Sequence, residues 1–578
     1  MSVLGVHDGH DNGAALAEYG SVLGAINEER FTKLKNDVGF PKNSIEYLIR
    51  AAGTDDIDKI AIARVDGAAI LTRIIPEIDI QRRKLFRREL EKPSALNLQI
   101  SNLIFKLTQE QRPRWLWNGI GKGIGSPIMG RRLRKLGLDK KIVFVEHHTA
   151  HASSAYYSSG FKEALVITLD ASGDGICGSV SIGDSGKLTR INEFGAGASL
   201  GILYGAATVA CDLRFSEDEG KLMSLAAYSS PAQINELKDY AYYDEKKRQL
   251  VSNSGKKYEF MVAEHMRNTL LWKYNREAFA YAVQRYVQEQ VLKIVRQHIK
   301  ETNIHNIALA GGLFSNIIIN MLINELPEVK NLFVFPQMGD GGLALGAAYY
   351  TDFEENGKFN DKQIDNLYYG PEYSDSDIER VLARYRKERR ISYEEVSDIA
   401  AYSADLMVER NEIILWFQGR MEYGPRALGN RSVLALPNTN KSRNTINLII
   451  KKRPYYQPFA STILEEDAKK MLDPCRGKSR FMTVGYKVRR EHYSDLIAAS
   501  HIDGTTRPQM LGSENRIYRQ LIERVRKRNG IGALLNTSLN KHGRPMVMDP
   551  EDAIWTLLNT GATSLAIGRF FVKKHGST

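Results

Sequence analysis

Between Ser2 and Tyr350 this chain three times ends a short apolar stretch at a glycine–aspartate turn. Ser2 to Asp8 leads into Gly9-His-Asp-Asn-Gly, Ala164 to Leu169 into Asp170-Ala-Ser-Gly-Asp-Gly, and Asn331 to Pro336 into Gly339-Asp-Gly-Gly. A fourth apolar stretch, Ile307 to Ala310, stops at Gly311-Gly312. Glycines at strand ends let backbone amides approach an anion, and aspartates there hold a metal or orient water. Asp8, Asp11, Asp170, Asp174 and Asp340 all fall at such ends, which reads as phosphate-handling α/β architecture.

The second of these turns lies close to Glu146-His-His-Thr-Ala-His-Ala. Lys141 to Val145 reads as a strand, Ala150 to Tyr157 as a helix and Gly160 as its stop, so the histidines open a helix directly after a strand. His147 and His151, four residues apart, share one helix face and both reach toward one cation. Asp170, at the end of the next strand, is the expected third ligand. The same spacing also suits a capping histidine followed by a core histidine, and both readings stand at this level. Two imidazoles with carboxylate oxygens suit iron, zinc or manganese. Repetition of the strand-end turn resembles the actin-like ATPase fold, in which two related halves close on a nucleotide; Asp340 would then be a fourth ligand.

A chain of 578 residues exceeds what one core usually serves, so two large domains are expected. Ser2–Asp8 and Ser21–Glu28 read as a hairpin around Tyr19-Gly20, Gly178–Ile182 as a further strand, and Ala263–Lys300 as one long amphipathic helix. The pattern loosens between Thr351 and Asp377, which places the boundary there and gives domains of 1–355 and 365–578. In the second, helices are expected near 376–388 and 396–410, and strands at 412–417 and near 461, 481, 497, 532 and 565. There Arg420, Arg426, Arg431, Lys451, Lys452, Arg453 and Arg507 gather at turns or element ends, with Gly424, Gly429, Gly504 and Asn536. Guanidinium forks so placed suit phosphate oxygens. The competing reading is a set of surface arginines paired with Glu422 and Asp503.

No run of 18 apolar residues occurs, and three widely spaced cysteines fit a reducing compartment, so a cytoplasmic location is expected. The net charge of +12 calls for anionic partners. Five of the seven residues from Arg82 to Arg88 and four of the five from Arg131 to Lys135 are basic. Leu96 to Leu107, apolar at helical spacing, lies between them with Trp115 and Trp117. This insert, about 70–140, reads as solvated helix faces or as a surface for anionic lipid.

Taken together, Gly9-His-Asp-Asn-Gly-Ala-Ala, Glu28-Glu-Arg-Phe-Thr-Lys-Leu-Lys, His147-His-Thr-Ala-His, Leu169-Asp-Ala-Ser-Gly-Asp-Gly, Ala310-Gly-Gly-Leu-Phe-Ser-Asn, Gly339-Asp-Gly-Gly-Leu-Ala-Leu-Gly-Ala-Ala, Glu422-Tyr-Gly-Pro-Arg-Ala-Leu-Gly-Asn-Arg-Ser and Leu535-Asn-Thr-Ser-Leu-Asn resemble the O-carbamoyltransferase family. The resemblance implies an N-terminal actin-like (ASKHA-type) duplicated domain followed by a YrdC-like α/β domain. It implies that carbamoyl phosphate and ATP, with Mg2+, form carbamoyl adenylate in the second domain. The carbamoyl group then passes, at a metal site in the first, to a hydroxyl of a sugar, antibiotic or other secondary metabolite. By the same resemblance His147, His151, Asp170 and Asp340 are the metal ligands, with Fe2+ the expected ion and Mn2+ or Zn2+ as alternatives. His10 and Lys35 are catalytic; Lys35, Gly311, Gly312 and Asn316 contact the adenylate; and Asp8 meets the acceptor. Arg426, Lys451, Gln457, Arg507 and Asn536 contact carbamoyl phosphate. Gln457 departs from the pattern, which has an arginine there; Arg453 or Lys452 is placed to compensate. Asn36 departs too, where relatives often carry histidine. No specific nucleic acid is implied. Peripheral membrane or amphiphile contact through the basic insert, and a homodimer, stay open. So do a threonylcarbamoyl transferase acting on tRNA and a non-enzymatic nucleotide-binding module.

Overall fold

The computed structural model describes residues 1–575 except 55, 66, 90–95, 97, 100–101, 104–113 and 230. The expected apolar stretch Leu96 to Leu107 falls largely outside the described residues, as does the side chain of Trp115. The chain divides into two compact units, Met1–Glu29 with Asn36–Ile364, and Arg30–Lys35 with Asp365–Thr578.

In the first unit, strands β1 (Ser2–His7), β2 (Gly13–Glu18), β3 (Ser21–Asn27), β4 (Lys59–Ala63) and β5 (Lys141–Val145) form a sheet ordered β3-β2-β1-β4-β5. Strands β6 (Glu163–Gly173), β7 (Ile176–Asp184), β8 (Lys187–Gly195), β9 (Asn306–Ala310) and β10 (Asn331–Val334) form a second sheet ordered β10-β9-β6-β7-β8. In each sheet the leading strand pairs antiparallel with the next strand in sequence and parallel with the fourth. The two halves therefore repeat one topology. The hairpin at Tyr19-Gly20 joins β3 to β2 and not to the first strand; Gly13–Glu18, short and alanine-rich, carries no strong strand signal and was not expected as a strand.

Helices α1 (Lys42–Ala52), α2 (Gly67–Ile74), α3 (Glu77–Phe86) and α4 (Arg114–Arg134) accompany the first sheet, and α5 (His147–Ser159) follows β5. Met129 and Leu133 of α4 pack with Leu4, Val6, Ile60 and Ile62 in a common core. The expected single helix at 263–300 is instead two, Glu259–Thr269 and α6 (Arg276–Thr302), separated where Asn275 caps the second. Beyond β10 lies α7 (Leu343–Asn356). A Cβ on Gly5 would meet Ala344 O at 1.8 Å, and one on Gly346 would meet Ala150 O at 1.9 Å. These two glycines let α7 lie directly on β1 and α5, which fixes the aspartate turn before α7 against the histidine helix.

The second unit is built on an eight-stranded sheet. Its strands are β11 (Ile391–Glu395), β12 (Ile414–Phe417), β13 (Arg431–Ala435), β14 (Ala460–Leu464), β15 (Pro508–Leu511), β16 (Ala533–Ser538), β17 (Ser564–Ile567) and β18 (Phe570–Lys574), ordered β11-β18-β17-β12-β13-β16-β14-β15. Separate apolar clusters contain Leu415, Phe417 and Leu565 on one hand, and Ile414, Trp416 and Ala566 on the other, as strand alternation requires. Phe481 lies in a bend and Ile497–Ala499 forms a short 3-10 turn, so neither is the expected strand.

Candidate functional site

Helix α5 begins where the sequence indicates, with Glu146 as its cap: the carboxylate accepts from Thr149 N at 2.8 Å, and Gly160 ends the helix at φ 70°. The imidazoles of His147 and His151, one turn apart, meet Asp170 from β6 and Asp340 from the turn before α7. One ligand atom of each of the four lies within 4.8 Å of the other three. His151 Nε2 is 3.0 Å from Asp170 Oδ2 and 3.5 Å from Asp340 Oδ1; His147 Nε2 is 3.6 Å from both carboxylates. Both nitrogens of His147 and Nδ1 of His151 are buried without a hydrogen-bond partner. Buried polar atoms are rarely left so, and ring nitrogens converging with two carboxylates match the donor set of a divalent transition metal. His148 is excluded from this group, because its ring bonds Thr168 Oγ1 at 2.8 Å and Ile176 O at 3.2 Å.

The electrostatics fit the same reading. Burial opposes charge on His147, but Asp340 and Asp170 overcome it and raise its pKa to about 9. Burial and Asp340 push Asp170 upward, yet the two histidines bring it down to about 2. The cluster thus holds two carboxylates that need a positive partner, supplied by protons or by a metal.

Two glycines and one further carboxylate frame these ligands. Gly173 leaves no room for a side chain, since a Cβ would lie 2.3 Å from the His147 ring, and a Cβ on Gly312 would lie 2.9 Å from Asp170 Oδ1. Asp174, at φ 50°, accepts from His147 N at 2.8 Å and Val65 N at 3.0 Å. It ties the first turn of α5 to the end of β4, a positioning role invisible in the sequence. Gly311 sits at φ 101° with its missing Cβ 2.2 Å from Leu169 O. Asn316 caps the following helix and exchanges hydrogen bonds with Gln284 at 2.8 and 3.2 Å, while Gln284 accepts from Tyr204.

His10 places Nε2 3.1 Å from Asp340 Oδ2 with nearly half its side chain exposed. His7, which sequence reasoning passed over, is buried beneath it, with Nε2 3.0 Å from His10 O and a pKa lowered by burial to about 3. Asp8 was expected to face an acceptor; in the structure its carboxylate is gripped by Arg73 of α2. Arg73 Nε donates to Oδ2 at 2.6 Å and Nη2 to Oδ1 at 3.0 Å, both side chains being almost wholly buried. Burial would raise the Asp8 pKa, but Arg73 pulls it down to about 2. Asp8 is therefore a fixed, ionised anchor and a weak base.

Lys35 belongs to the segment Arg30–Lys35 of the second unit. There Arg30 Nη2 donates to Gly424 O at 2.7 Å, Lys33 pairs with Asp552 and Asp549, and the charge of Lys35 helps lower the pKa of Lys451. Around Lys451 stand Arg453, Arg426 and Arg507. Burial and neighbouring cations lower Lys451 and Arg507 well below their usual ranges, and burial lowers Arg426 to about 10 and Arg453 to about 9. Among the described residues these four groups have no carboxylate ion-pair partner, and Nε of Arg426 and of Arg507 and Oε1 of Gln457 are buried and unbonded. Lys451 is held by Ser538 O and Asn540, and Arg453 lies over the Phe459 ring, with Nε 2.6 Å from Asn447 Oδ1. Asn536 Nδ2 donates to Ala427 O and Thr462 Oγ1. Arg420 and Arg431 stand apart: the first donates to Gly370 O and Tyr369 O, the second to Gln418 O and Gly419 O with Phe417 beneath it. Glu422 accepts backbone amides from Leu428, Asn430 and Arg431, and is not the expected surface partner of these arginines.

In the basic insert, Arg82 pairs with Glu259, Arg87 with Glu89 and Glu217, and Arg88 with Asp212. Three of the five cations of that run are thus paired within the protein.

Residues 2–349 match the family described as Carbamoyltransferase N-terminus, and residues 404–574 match Carbamoyltransferase C-terminus. The nodulation protein NolNO of Sinorhizobium fredii is 31% identical over 98% of this chain and 79% of its own length. The 3'-hydroxymethylcephem-O-carbamoyltransferase of Amycolatopsis lactamdurans is 29% identical over 65% of this chain and 69% of its own. Among solved structures, HypF of T. kodakarensis superposes with a TM-score of 0.35 at 12% identity, covering 63% of this chain and 49% of that one.

Proposed function

The chain belongs to the carbamoyltransferase family, and from that premise we propose that it is an ATP-dependent O-carbamoyltransferase with two chemically separate centres. In this reading the second unit, YrdC-like, makes carbamoyl adenylate, and the first, actin-like, transfers the carbamoyl group to a hydroxyl of a small-molecule acceptor. The repeated sheet order of the first unit supports the actin-like reading. The observation that carries the proposal is the pairing of opposite electrostatics in one chain: four cations without a carboxylate partner in the second unit, and a buried two-histidine, two-aspartate cluster in the first.

In the second unit Arg426, Lys451, Arg453 and Arg507 bind the phosphate of carbamoyl phosphate, whose charge they lack, and Gln457 and Asn536 add amide donors. Water cleaves carbamoyl phosphate to carbamate and phosphate. A carbamate oxygen then attacks the α-phosphorus of ATP-Mg2+ and displaces pyrophosphate. In the first unit His147, His151, Asp170 and Asp340 would hold Fe2+, or Mn2+ or Zn2+, which supplies a Lewis-acidic grip on phosphate oxygens. His10, exposed beside Asp340, offers an N–H to the carbamoyl oxygen as charge develops there. Asp8, fixed by Arg73, orients the acceptor hydroxyl; its oxygen bonds to the carbamoyl carbon as the bond from that carbon to the AMP phosphate oxygen breaks, and the hydroxyl proton passes to solvent. Gly312 offers its backbone amide to the adenylate, and Gly311, whose own amide donates to Met338 O, makes the turn that presents it.

The test is pyrophosphate release from carbamoyl phosphate and ATP without acceptor. Folded protein that releases none refutes the first half of the proposal. His147→Ala should keep that release while transfer and bound metal fall at least about tenfold; a parallel loss of pyrophosphate release would overturn the separation of the two centres.

A further inference from the structure

Helix α4 is apolar on two sides. Toward the first sheet it buries Gly121, Gly125, Met129 and Leu133. Outward it exposes Leu116, Trp117, Ile120 and Ile124, at 43%, 36%, 38% and 41% respectively, with Pro127 also exposed. At about 100° per residue these five positions, and exposed Arg131, fall within roughly one 100° arc. Scattered exposed apolar residues need no explanation, but a continuous stripe opposite a buried face does. The end of α2 lies beside α4 and is also apolar and exposed. Arg132 of α4 donates to Arg73 O at 2.9 Å, and the residues that follow, Ile74 and Ile75, are 57% and 44% exposed.

Charge indicates what covers this face. Helix α4 contains five basic residues, Arg114, Lys122, Arg131, Arg132 and Arg134, and no aspartate or glutamate. Lys122, Arg131 and the following Lys135 are exposed and have no carboxylate partner among the described residues. The arginine run of α3 differs, since its charges are largely spent on Glu259, Glu217 and Asp212. An apolar stripe with a tryptophan, carrying unpaired Arg131 at one end and followed by unpaired Lys135, on a helix free of acids, matches a helix lying in the interface of an anionic bilayer. No helix among the described residues is long and apolar enough to cross a membrane, so the contact is with the surface only.

We propose that the outer face of α4, continued by Ile74 and Ile75, docks the protein on anionic lipid. The same α2 end carries Arg73, which holds Asp8, so the docking face and the proposed acceptor anchor are joined through one residue. The docking itself does not depend on the proposed reaction.

The experiment is co-sedimentation of the full chain with phosphatidylcholine vesicles, with and without phosphatidylglycerol, at about 0.1 M and about 1 M salt. Binding is expected to the anionic vesicles alone and to weaken in high salt. Ile120→Glu/Ile124→Glu should reduce it about tenfold or more, and Arg131→Gln/Lys135→Gln should reduce it less, with the thermal transition of each variant unchanged. Absence of binding to anionic vesicles, or equal binding by the Ile120→Glu/Ile124→Glu variant, overturns the proposal. So does light scattering that shows a wild-type dimer and a monomeric double variant, which would make the face a contact between copies.

Discussion

Replacing Arg73 by methionine keeps most of the volume of the side chain and removes its charge, leaving the Asp8 carboxylate buried with no guanidinium on it. In the native protein Asp8 is held near pKa 2 against an ordinary 3.8, a stabilisation of about 2 kcal/mol. Because the folded value is the lower one, that stabilisation is complete above pH 4 and is lost as pH falls from about 4 toward 2. Breaking a buried pair by removing one partner costs more than the pair was worth, about 3–5 kcal/mol, since the abandoned charge stays desolvated. The first unit has roughly 360 residues, and at about 2.1 cal/mol/K per residue the unfolding entropy converts this loss to about 4–7 °C in its calorimetric transition at pH 7. In Arg73→Met the Asp8 pKa is raised instead, so the deficit should shrink as pH falls toward 5, where the acid takes up a proton. Asp8→Asn added to Arg73→Met should recover most of the lost stability at pH 7. Arg73→Met should also raise the acceptor KM while leaving pyrophosphate release unchanged, because both residues of the pair belong to the first unit and the proposed adenylate-forming residues to the second. A shift below about 1 °C, or one that Asp8→Asn leaves in place, would show that Arg73 acts through its packing on Phe144 and not through Asp8.

Two further substitutions probe the two centres. Gly173→Ala drives a Cβ to 2.3 Å from the His147 ring, so the ring must swing away; metal affinity measured by chelator competition should fall at least about tenfold, and unchanged affinity would show that the ring is not a ligand. Arg507→Met removes a buried cation that Arg426 and Arg453 repel, so the second unit's transition should rise by about 1–3 °C while carbamoyl-phosphate-dependent pyrophosphate release is lost; a fall in that transition, with release retained, would mean that Arg507 is a structural arginine.

The parts of the site that could be read from sequence are those set by short spacing. His147 and His151 share a face because a helix repeats every 3.6 residues, and the turns at Asp170 and Asp340 follow apolar strands whose ends converge once the sheets form. Residues that act on these ligands from far along the chain carried no such signal. Arg73 reaches Asp8 across 65 positions, and Asp174 reaches Val65 across 109, through contacts that exist only after β4 pairs with β1. The strand Gly13–Glu18 was missed because it is buried on both faces and so lacks alternation.

The second unit shows why composition alone misjudges a basic cluster. Arg431 and Arg507 both follow glycine turns in stretches of similar polarity, and composition and spacing offer no ground for separating them; only the family resemblance points to Arg507. Arg431 is spent in place: carbonyls of Gln418, Gly419 and Asn430 take its protons and the Phe417 ring supports its plane. Both keep a buried Nε without a partner, but Arg507 makes no other side-chain hydrogen bond among the described residues and feels the positive charge of Arg426 and Arg453, whereas Glu422 supports the charge of Arg431. A guanidinium satisfied by its own backbone has little left to offer a ligand, whereas one that is buried, unpaired and repelled gains both hydrogen bonds and charge neutralisation when an anion arrives. The residues to assign to binding are therefore those the fold leaves unsatisfied; by that criterion Arg426 and Arg507 are the first candidates for the proposed phosphate pocket, Arg453 is partly held by Asn447 and Pro458 O, and Arg420 and Arg431 are bound up in their own backbone.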